Sequence, residues 1–535
     1  MKNINSSLNK LKEAMNNGQY VKAINLCKKI LINSEINNID VLLIYGEALL
    51  RNSEFQAALI PCARVIELDS TNIKGLVNFG AALLRNNKYS DALSIFEYGL
   101  SLEPNNFDIL LNICNAYQGL GQPENSLKSA LHAIEINPGS YMAYNNLGTA
   151  LGDLLYTEDA RQAYITSNTI NPNYLPTIIN LAQIEIKLGK HQEGIDLYEK
   201  ALNLKSITRD YAELIKYYLS HSYLFLGNLS KGWIYYDYGF AQLLPIGALR
   251  SMRKFSKPRW DGNLTDKSTV LIWREQGIGD EILFSSCLND LYLSNLNIIY
   301  ECDPRLVNIY KRIYPNFIVR PESIDSENRS LFEDYDFQCP VGSLPKYFRN
   351  QIEDFNKELP HWHPLKEHEN NIKNKLQNYK NKILIGISWR SGKLNITRNE
   401  HYTNIADWKE LLSNDQYQFI NLQYGNCEEE LRSIEAELNI NILRWPDLDL
   451  RNDLEKVLAL VTQLDCVVSV GTAVCTIAGS AGIPTLLLVQ KSWDLLGQTR
   501  SYPWFKSVIP FVVEQNQQVG INIKNLQQHI KKIIK

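Results

Sequence analysis

A 34-residue period runs through the first half of the chain and stops before the second half begins. Pro104, Pro138 and Pro172 are spaced by one period each. Gly46, Gly80 and Gly148 share a phase, with Cys114 filling the gap. Ala58, Ala92 and Ala160 share another, completed by Ser126 and Gly194, and Phe96, Tyr164 and Tyr198 mark a third. Small residues at fixed points let two antiparallel helices pack closely, and a proline closes each unit. A unit of this size cannot bury its apolar face alone, so neighbours must stack. An earlier unit around Tyr20 and Ala23 fits with a one-residue slip. A degenerate one comes after them, around Leu226-Gly227-Asn228 and Gly232-Trp233. The count is five good repeats and a sixth that merges into the next domain.

The pattern resembles the tetratricopeptide (TPR) repeat, with its small residue, alanine and proline at set positions. That resemblance implies an α-solenoid over residues 1–240 whose concave groove holds a peptide or another protein. The rest of the chain needs cores of its own, because 535 residues are too many for one. Lys+Arg 55 against Asp+Glu 58 give a net charge of −3, so bulk charge makes no case for nucleic acid or an anionic membrane. The nine cysteines are scattered without a CxxC pair and read as reduced core thiols of a cytoplasmic protein. The N-terminal residues lack an apolar signal core, and no stretch reaches the ~18 apolar residues of a membrane span.

From about Lys267 short apolar runs alternate with helical stretches. Strands are expected at Thr269–Trp273, Asn297–Glu301, Phe317–Val319, Lys382–Ile387, Gln418–Leu422, Cys466–Val470, Thr485–Val489 and Val508–Phe511. Such alternation implies parallel βαβ units. A connector over 241–266 leads to one Rossmann-like block at 267–350. A polar linker at 351–381 separates it from a second at 382–520, and a closing helix occupies 521–535. Two such domains facing a cleft form the GT-B architecture of glycosyltransferases.

Three junctions carry chemistry. Val270-Leu271-Ile272-Trp273 runs into Arg274-Glu275-Gln276-Gly277-Ile278-Gly279-Asp280, a strand, a glycine-hinged turn and a helix starting near Asp280. This sets a carboxylate and free N–H groups at the carboxyl end of a parallel sheet, where α/β proteins bind ligands. It reads equally as a βα turn with a capping Asp. Ile383–Ile387 leads into Ser388-Trp389-Arg390-Ser391-Gly392-Lys393, whose Arg390 and Lys393, with Arg398, suit a diphosphate leaving group or plain solvation. Val467–Val470 enters a helix at Gly471-Thr472, where amides and a hydroxyl offer an anion site. His361, His363 and His368 lie in the polar linker without a ligand framework, so a structural role is expected and no metal. No Walker loop, HExxH or GxSxG is present. The aromatic run Trp233–Phe240 is expected to pack the solenoid end against the first Rossmann block.

Taken in order, Trp260-Asp261-Gly262, the Leu271–Glu281 junction, Arg398–Thr403, Leu422-Gln423-Tyr424-Gly425, Gly471–Gly482 and Tyr502-Pro503-Trp504-Phe505 resemble bacterial TPR glycosyltransferases. Their catalytic region is similar to glycosyltransferase family 9, the heptosyltransferases. The likeness spans about residues 230–515. It implies an inverting, metal-independent transferase with no cofactor beyond a nucleotide-sugar co-substrate. Asp280 is then the general base on the acceptor hydroxyl, beside Gln276, Gly277 and Gly279. Gly471 and Thr472 face the phosphates, and Gln423 and Tyr424 lie near base and ribose. Where family 9 members often carry Asp-Thr and a His four residues on, this chain has Gly471 and, in the His position, Thr476. The expected function is transfer of a sugar to Ser/Thr of a protein held by the repeats, for example flagellin or another surface protein. A lipopolysaccharide or glycan acceptor, or a TPR scaffold with an inactive GT-B domain, are the alternatives.

Overall fold

The computed structural model describes residues 2–33, 37–205, 207–240, 250, 253–265, 267–392, 402–515 and 517–534. The chain forms two compact units, Met1–Ile207 and Thr208–Lys535.

The first unit is a TPR-like array of helix pairs. First helices begin at Ile39, Ile73, Phe107, Tyr141 and Leu175, and second helices at Phe55, Tyr89, Pro123, Thr157 and His191. Every step is the 34-residue period of the sequence. A pair at Lys2–Asn16 and Tyr20–Asn33 precedes them. The starts are set by caps at the same period. Asn38, Asn72, Asn106 and Ser140 each accept a hydrogen bond from the backbone N–H three residues on, at 3.0–3.2 Å, each stabilising its helix by about 1 kcal/mol.

Within a pair, the small-residue phase faces the aromatic phase, and their sizes compensate. A Cβ added to Gly80 would lie 2.3 Å from the Phe96 ring, and one on Gly148 would lie 2.6 Å from Tyr164. Where the first helix carries the larger Cys114, the aromatic position one period after Phe96 is Ala130, also buried. The pair distance is thus held constant by trading volume across the contact. Neighbouring pairs are tied by buried amides: Asn146 Nδ2 donates to the Leu111 carbonyl one repeat earlier (3.3 Å).

The second unit opens with helices Arg209–Phe225 and Leu229–Tyr236. Arg209 keeps the period, but its helix runs 17 residues instead of 13, so its partner starts four residues late. This degenerate pair lies in the second unit, although its period assigns it to the solenoid over 1–240.

Two parallel sheets come next. β1 (Thr269–Trp273), β2 (Asn297–Cys302), β3 (Ile318–Pro321) and β4 (Phe337–Pro340) stand in the order β3-β2-β1-β4. β5 (Ile383–Ser388), β6 (Tyr417–Asn421), β7 (Cys466–Val470), β8 (Thr485–Gln490) and β9 (Val508–Val513) stand in the order β6-β5-β7-β8-β9. β1 and β7 match their expected spans residue for residue. β4 was not anticipated, because Phe-Gln-Cys-Pro is short and ends in proline. It survives as an edge strand, where Pro340 forfeits little, and Gln338 accepts the Trp273 indole N–H (2.8 Å). Val270 to Trp273 are all buried. Val270 and Ile272 face one cluster, and Leu271 and Trp273 another, as a strand covered on both faces requires. The linker holds a helix, Lys366–Leu376, and the chain closes with Leu526–Ile533.

Candidate functional site

Two of the three expected junctions, those after β1 and β7, lie at switch points of their sheets. From β1 the chain winds outward to β2 and β3, while β4 lies on the other side of β1. In the second sheet, β6 lies beyond β5 on one side, while β8 and β9 lie beyond β7 on the other. At such points the loops leaving the strands diverge and open a crevice at their carboxyl ends.

At the first, helix Ile278–Ser285 begins two residues earlier than expected, with Gly277 as its N-cap and no side-chain cap. Asp280 is therefore inside the first turn rather than the cap. Its carboxylate folds back toward the helix start, where Oδ2 would lie 3.7 Å from a Cβ on Gly277. A carboxylate is electrostatically favoured at that end.

The residues before the turn are locked by buried charge. Arg250 Nε donates to Glu275 Oε2 (2.6 Å), with a second, shorter contact to Oε1, and the Gly342 N–H also donates to Oε1 (3.1 Å). Burial works against the Arg250 charge, but Glu275 more than offsets it and the guanidinium pKa is raised. The guanidinium lies over the rings of Tyr236 (4.3 Å) and Phe240 (4.0 Å). Arg274 Nε donates to Glu281 (2.8 Å). Burial pushes the Glu281 carboxyl up to about 7, against the pull of Arg274 and the Asp303 N–H. Gln276 Nε2 donates to the Tyr236 hydroxyl (2.6 Å), so the degenerate helix pair holds the loop that carries Asp280.

At the second junction, helix Ala473–Ser480 has Thr472 as N-cap without a side-chain cap bond. Gly471 is exposed, and a Cβ there would meet nothing within 4 Å. The Thr472 and Ser469 hydroxyls are 3.3 Å apart. Thr476 Oγ1 donates to the Ala473 carbonyl of its own helix (3.0 Å). The two helix starts meet: a Cβ on Gly279 would lie 3.7 Å from both N and Cα of Ala473. The structure thus brings Gly277, Gly279 and Asp280 into one neighbourhood with Gly471 and Thr472.

The β5 loop is organised differently from its expected role. Arg390 Nε donates to Glu430 (3.1 Å) and an Nη to the Asn426 carbonyl (2.8 Å), and Trp389 Nε1 donates to the same carboxylate (2.8 Å). This guanidinium is tied to its own domain, with its side chain 10% exposed. Gln423 is buried and closes the strand end. Its Oε1 accepts from the N–H groups of Trp389 (3.1 Å) and Arg390 (3.0 Å), and its Nε2 donates to the Tyr424 carbonyl (2.9 Å). The Tyr424 ring covers Gly392, where a Cβ would lie 2.7 Å from it. Lys393 and Arg398 lie outside the described residues.

Several neighbours carried no sequence signal. Tyr217, His221 and Trp493 join Tyr236 and Trp233 in an aromatic layer with ring centroids 4.8–6.3 Å apart. Burial lowers the His221 imidazole to about 4, so it stays neutral at neutral pH. The aromatic run at 233–240 reaches beyond the first Rossmann block, against which it was expected to pack the solenoid end, to rings of the second. Trp233 is 1% exposed, lies against Phe284 and Trp504, and donates its indole N–H to the Arg349 carbonyl (2.8 Å). Gly262 adopts φ +95° under the Tyr347 ring, and Tyr347 donates to the Trp260 carbonyl (2.8 Å). Tyr502 and Trp504 donate to Asp494 (3.1 and 2.8 Å), whose pKa burial raises. Among the described residues, no group of three or more His, Cys, Asp or Glu side chains converges to hold a metal, and no helix is long and apolar enough to cross a membrane.

The tetratricopeptide repeat profile matches residues 175–208, the pair Leu175–Lys187 and His191–Leu202. Protein FlbA of Caulobacter vibrioides is 28% identical over 359 residues, which cover 64% of this chain and 59% of that protein. Three solved structures show weaker likeness. A thermophilic TPR protein of Thermus thermophilus is 18% identical, covering 34% of this chain and 99% of its own, at a TM-score of 0.32. MamA from Desulfovibrio magneticus RS-1 is 18% identical, covering 31% and 94%, at 0.28. The human IFIT1 dimer with m7Gppp-AAAA is 15% identical, covering 41% and 54%, at 0.38.

Proposed function

We propose that the second unit is a GT-B glycosyltransferase, cytoplasmic, moving a sugar from a nucleotide donor to an acceptor hydroxyl. The observation carrying this reading is the meeting of two glycine-bearing helix starts, each at a sheet switch point, with Asp280 on one and an open Gly471 on the other. In it Asp280 takes the acceptor proton, and the Gly471–Thr472 turn receives the nucleotide phosphates. The repeats present the acceptor, a Ser/Thr of a surface protein such as flagellin. The test is Asp280→Asn, assayed for transfer and for donor hydrolysis. A loss of about 10²- to 10⁴-fold in transfer is expected of a removed general base, and a folded variant with wild-type transfer removes the assignment.

A second reading, a TPR interaction scaffold with an inactive α/β unit, is favoured by the tethering of Arg390 to Glu430 and of Thr476 to its own helix. Calorimetry against UDP, GDP, CMP and ADP sugars separates the two. Micromolar binding of any one argues for the enzyme, and none for the scaffold.

A further inference from the structure

The far ends of the two meeting helices enclose a cavity of about 510 Å³. It is lined by Ser285 and Ser286 on one side and by Gly479, Ser480 and Gly482 on the other. Each helix has eight residues, so at 1.5 Å per residue the cavity lies about 12 Å from the Asp280–Gly471 neighbourhood. Its volume is in the range of small-molecule sites.

The lining divides by chemistry. Ile282, Tyr314, Phe355, Trp504 and Phe505 are buried and supply an apolar, largely aromatic floor. Lys357, Glu358, His361 and Lys506 form an exposed rim. The Lys357 ammonium pairs with Asp290, a carboxylate it shares with Arg349. Lys506 donates only to the Asn356 carbonyl (2.9 Å) and pairs with no carboxylate among the described residues. In the wall, Ser286 is 7% exposed, and its buried Oγ is paired with the Cys287 thiol. Ser285 already donates to the Ile282 carbonyl (2.7 Å) and keeps its acceptor capacity.

We propose that this cavity is a second small-molecule site, distinct from the switch-point crevice, and that it takes an aromatic or alicyclic organic anion. The ring lies on Trp504 and Phe505, and the anionic group meets Lys506 and His361 at the rim. Such a ligand would bridge the linker between the two sheets to both helix ends.

The test uses the full chain and 8-anilinonaphthalene-1-sulfonate, an aromatic anion, followed by its fluorescence. Saturable binding of one molecule per chain is expected. Lys506→Glu weakens it about fivefold, the equivalent of about 1 kcal/mol. Ser480→Trp, which fills the cavity, abolishes it, and Asp280→Asn leaves it unchanged. Lys506 is exposed, so its variant keeps the test decisive even where Ser480→Trp fails to fold, as judged by circular dichroism. Absence of saturable binding, or binding of unchanged strength in folded Lys506→Glu, overturns the proposal.

Discussion

Trp233→Ala tests whether the degenerate helix pair belongs energetically to the α/β unit. Trp233 is 1% exposed, its ring meets Phe284, Trp493 and Trp504 at 6.0–6.4 Å, and its indole N–H satisfies the Arg349 carbonyl. Truncating a buried tryptophan costs about 3–5 kcal/mol through lost transfer energy and the cavity left behind. The orphaned carbonyl adds about 1 kcal/mol. Ile234, the next residue of the same helix, is 50% exposed, so Ile234→Ala should change stability by less than about 0.5 kcal/mol. The assay is hydrogen exchange on the full chain, read on peptides covering 278–285 and 502–507. A loss of about 4–6 kcal/mol in opening free energy corresponds to roughly 10³- to 10⁴-fold faster exchange of the slowest amides. If exchange there is unchanged in Trp233→Ala, or rises equally in Ile234→Ala, the aromatic joint does not hold the unit together and the reasoning fails.

The size trade inside the repeats predicts opposite signs for two similar substitutions. Gly80→Ala gains about 1 kcal/mol of helix propensity but drives a methyl into the buried Phe96 ring, for a net loss of about 1–2 kcal/mol. Gly152→Ala, whose Cβ would meet only Ala160 at 3.9 Å, should keep the gain, and urea midpoints of the two variants measure the difference. His221 makes stability depend on mild acid. Its imidazole titrates near 4 when folded and near 6.5 when unfolded, so the unfolded chain binds the proton first as pH falls. The contribution is fully present above 6.5 and is lost as pH drops from 6.5 to 4, by up to about 3 kcal/mol. Unfolding midpoints at pH 7.5, 5.5 and 4.5 should show a steeper fall for wild type than for His221→Gln; parallel curves would remove the assignment.

What the sequence made legible was whatever repeats or alternates. The 34-residue period read from the glycines, alanines, aromatics and prolines is the spacing of the helix starts, whereas the capping residues Asn38, Asn72, Asn106 and Ser140 that set those starts were not singled out. Buried strands such as Val270–Trp273 were visible as apolar runs between turn residues. Where a local rule was broken without periodicity, the reading missed. β4 hid behind Gln338 and Pro340, and the four extra residues of Arg209–Phe225 shifted its partner out of phase. Tyr217 and His221 are two polar aromatics on one helix, and nothing local says that Trp493 covers them.

The site residues divide on the same principle. The strand-to-helix turns carrying Gly277 and Gly471 were readable as turns from their glycines, although the first helix was expected to start near Asp280 and begins at Ile278. Side-chain assignments at Arg390 and Gln423 rested on residue type, and type does not disclose the partner. Arg390 meets Glu430, 40 positions later, and Gln423 turns inward to satisfy two backbone N–H groups. Strand order is equally silent in a linear chain. Yet it decides which loops border a crevice, since the parallel strands open one only where the chain reverses its direction of winding. β1 and β7 occupy that place in their sheets, and their following helices meet at Gly279 and Ala473. Had β4 paired beside β3 instead of β1, the Asp280 loop would have stood at a sheet edge, and the same residues would read as an ordinary βα turn.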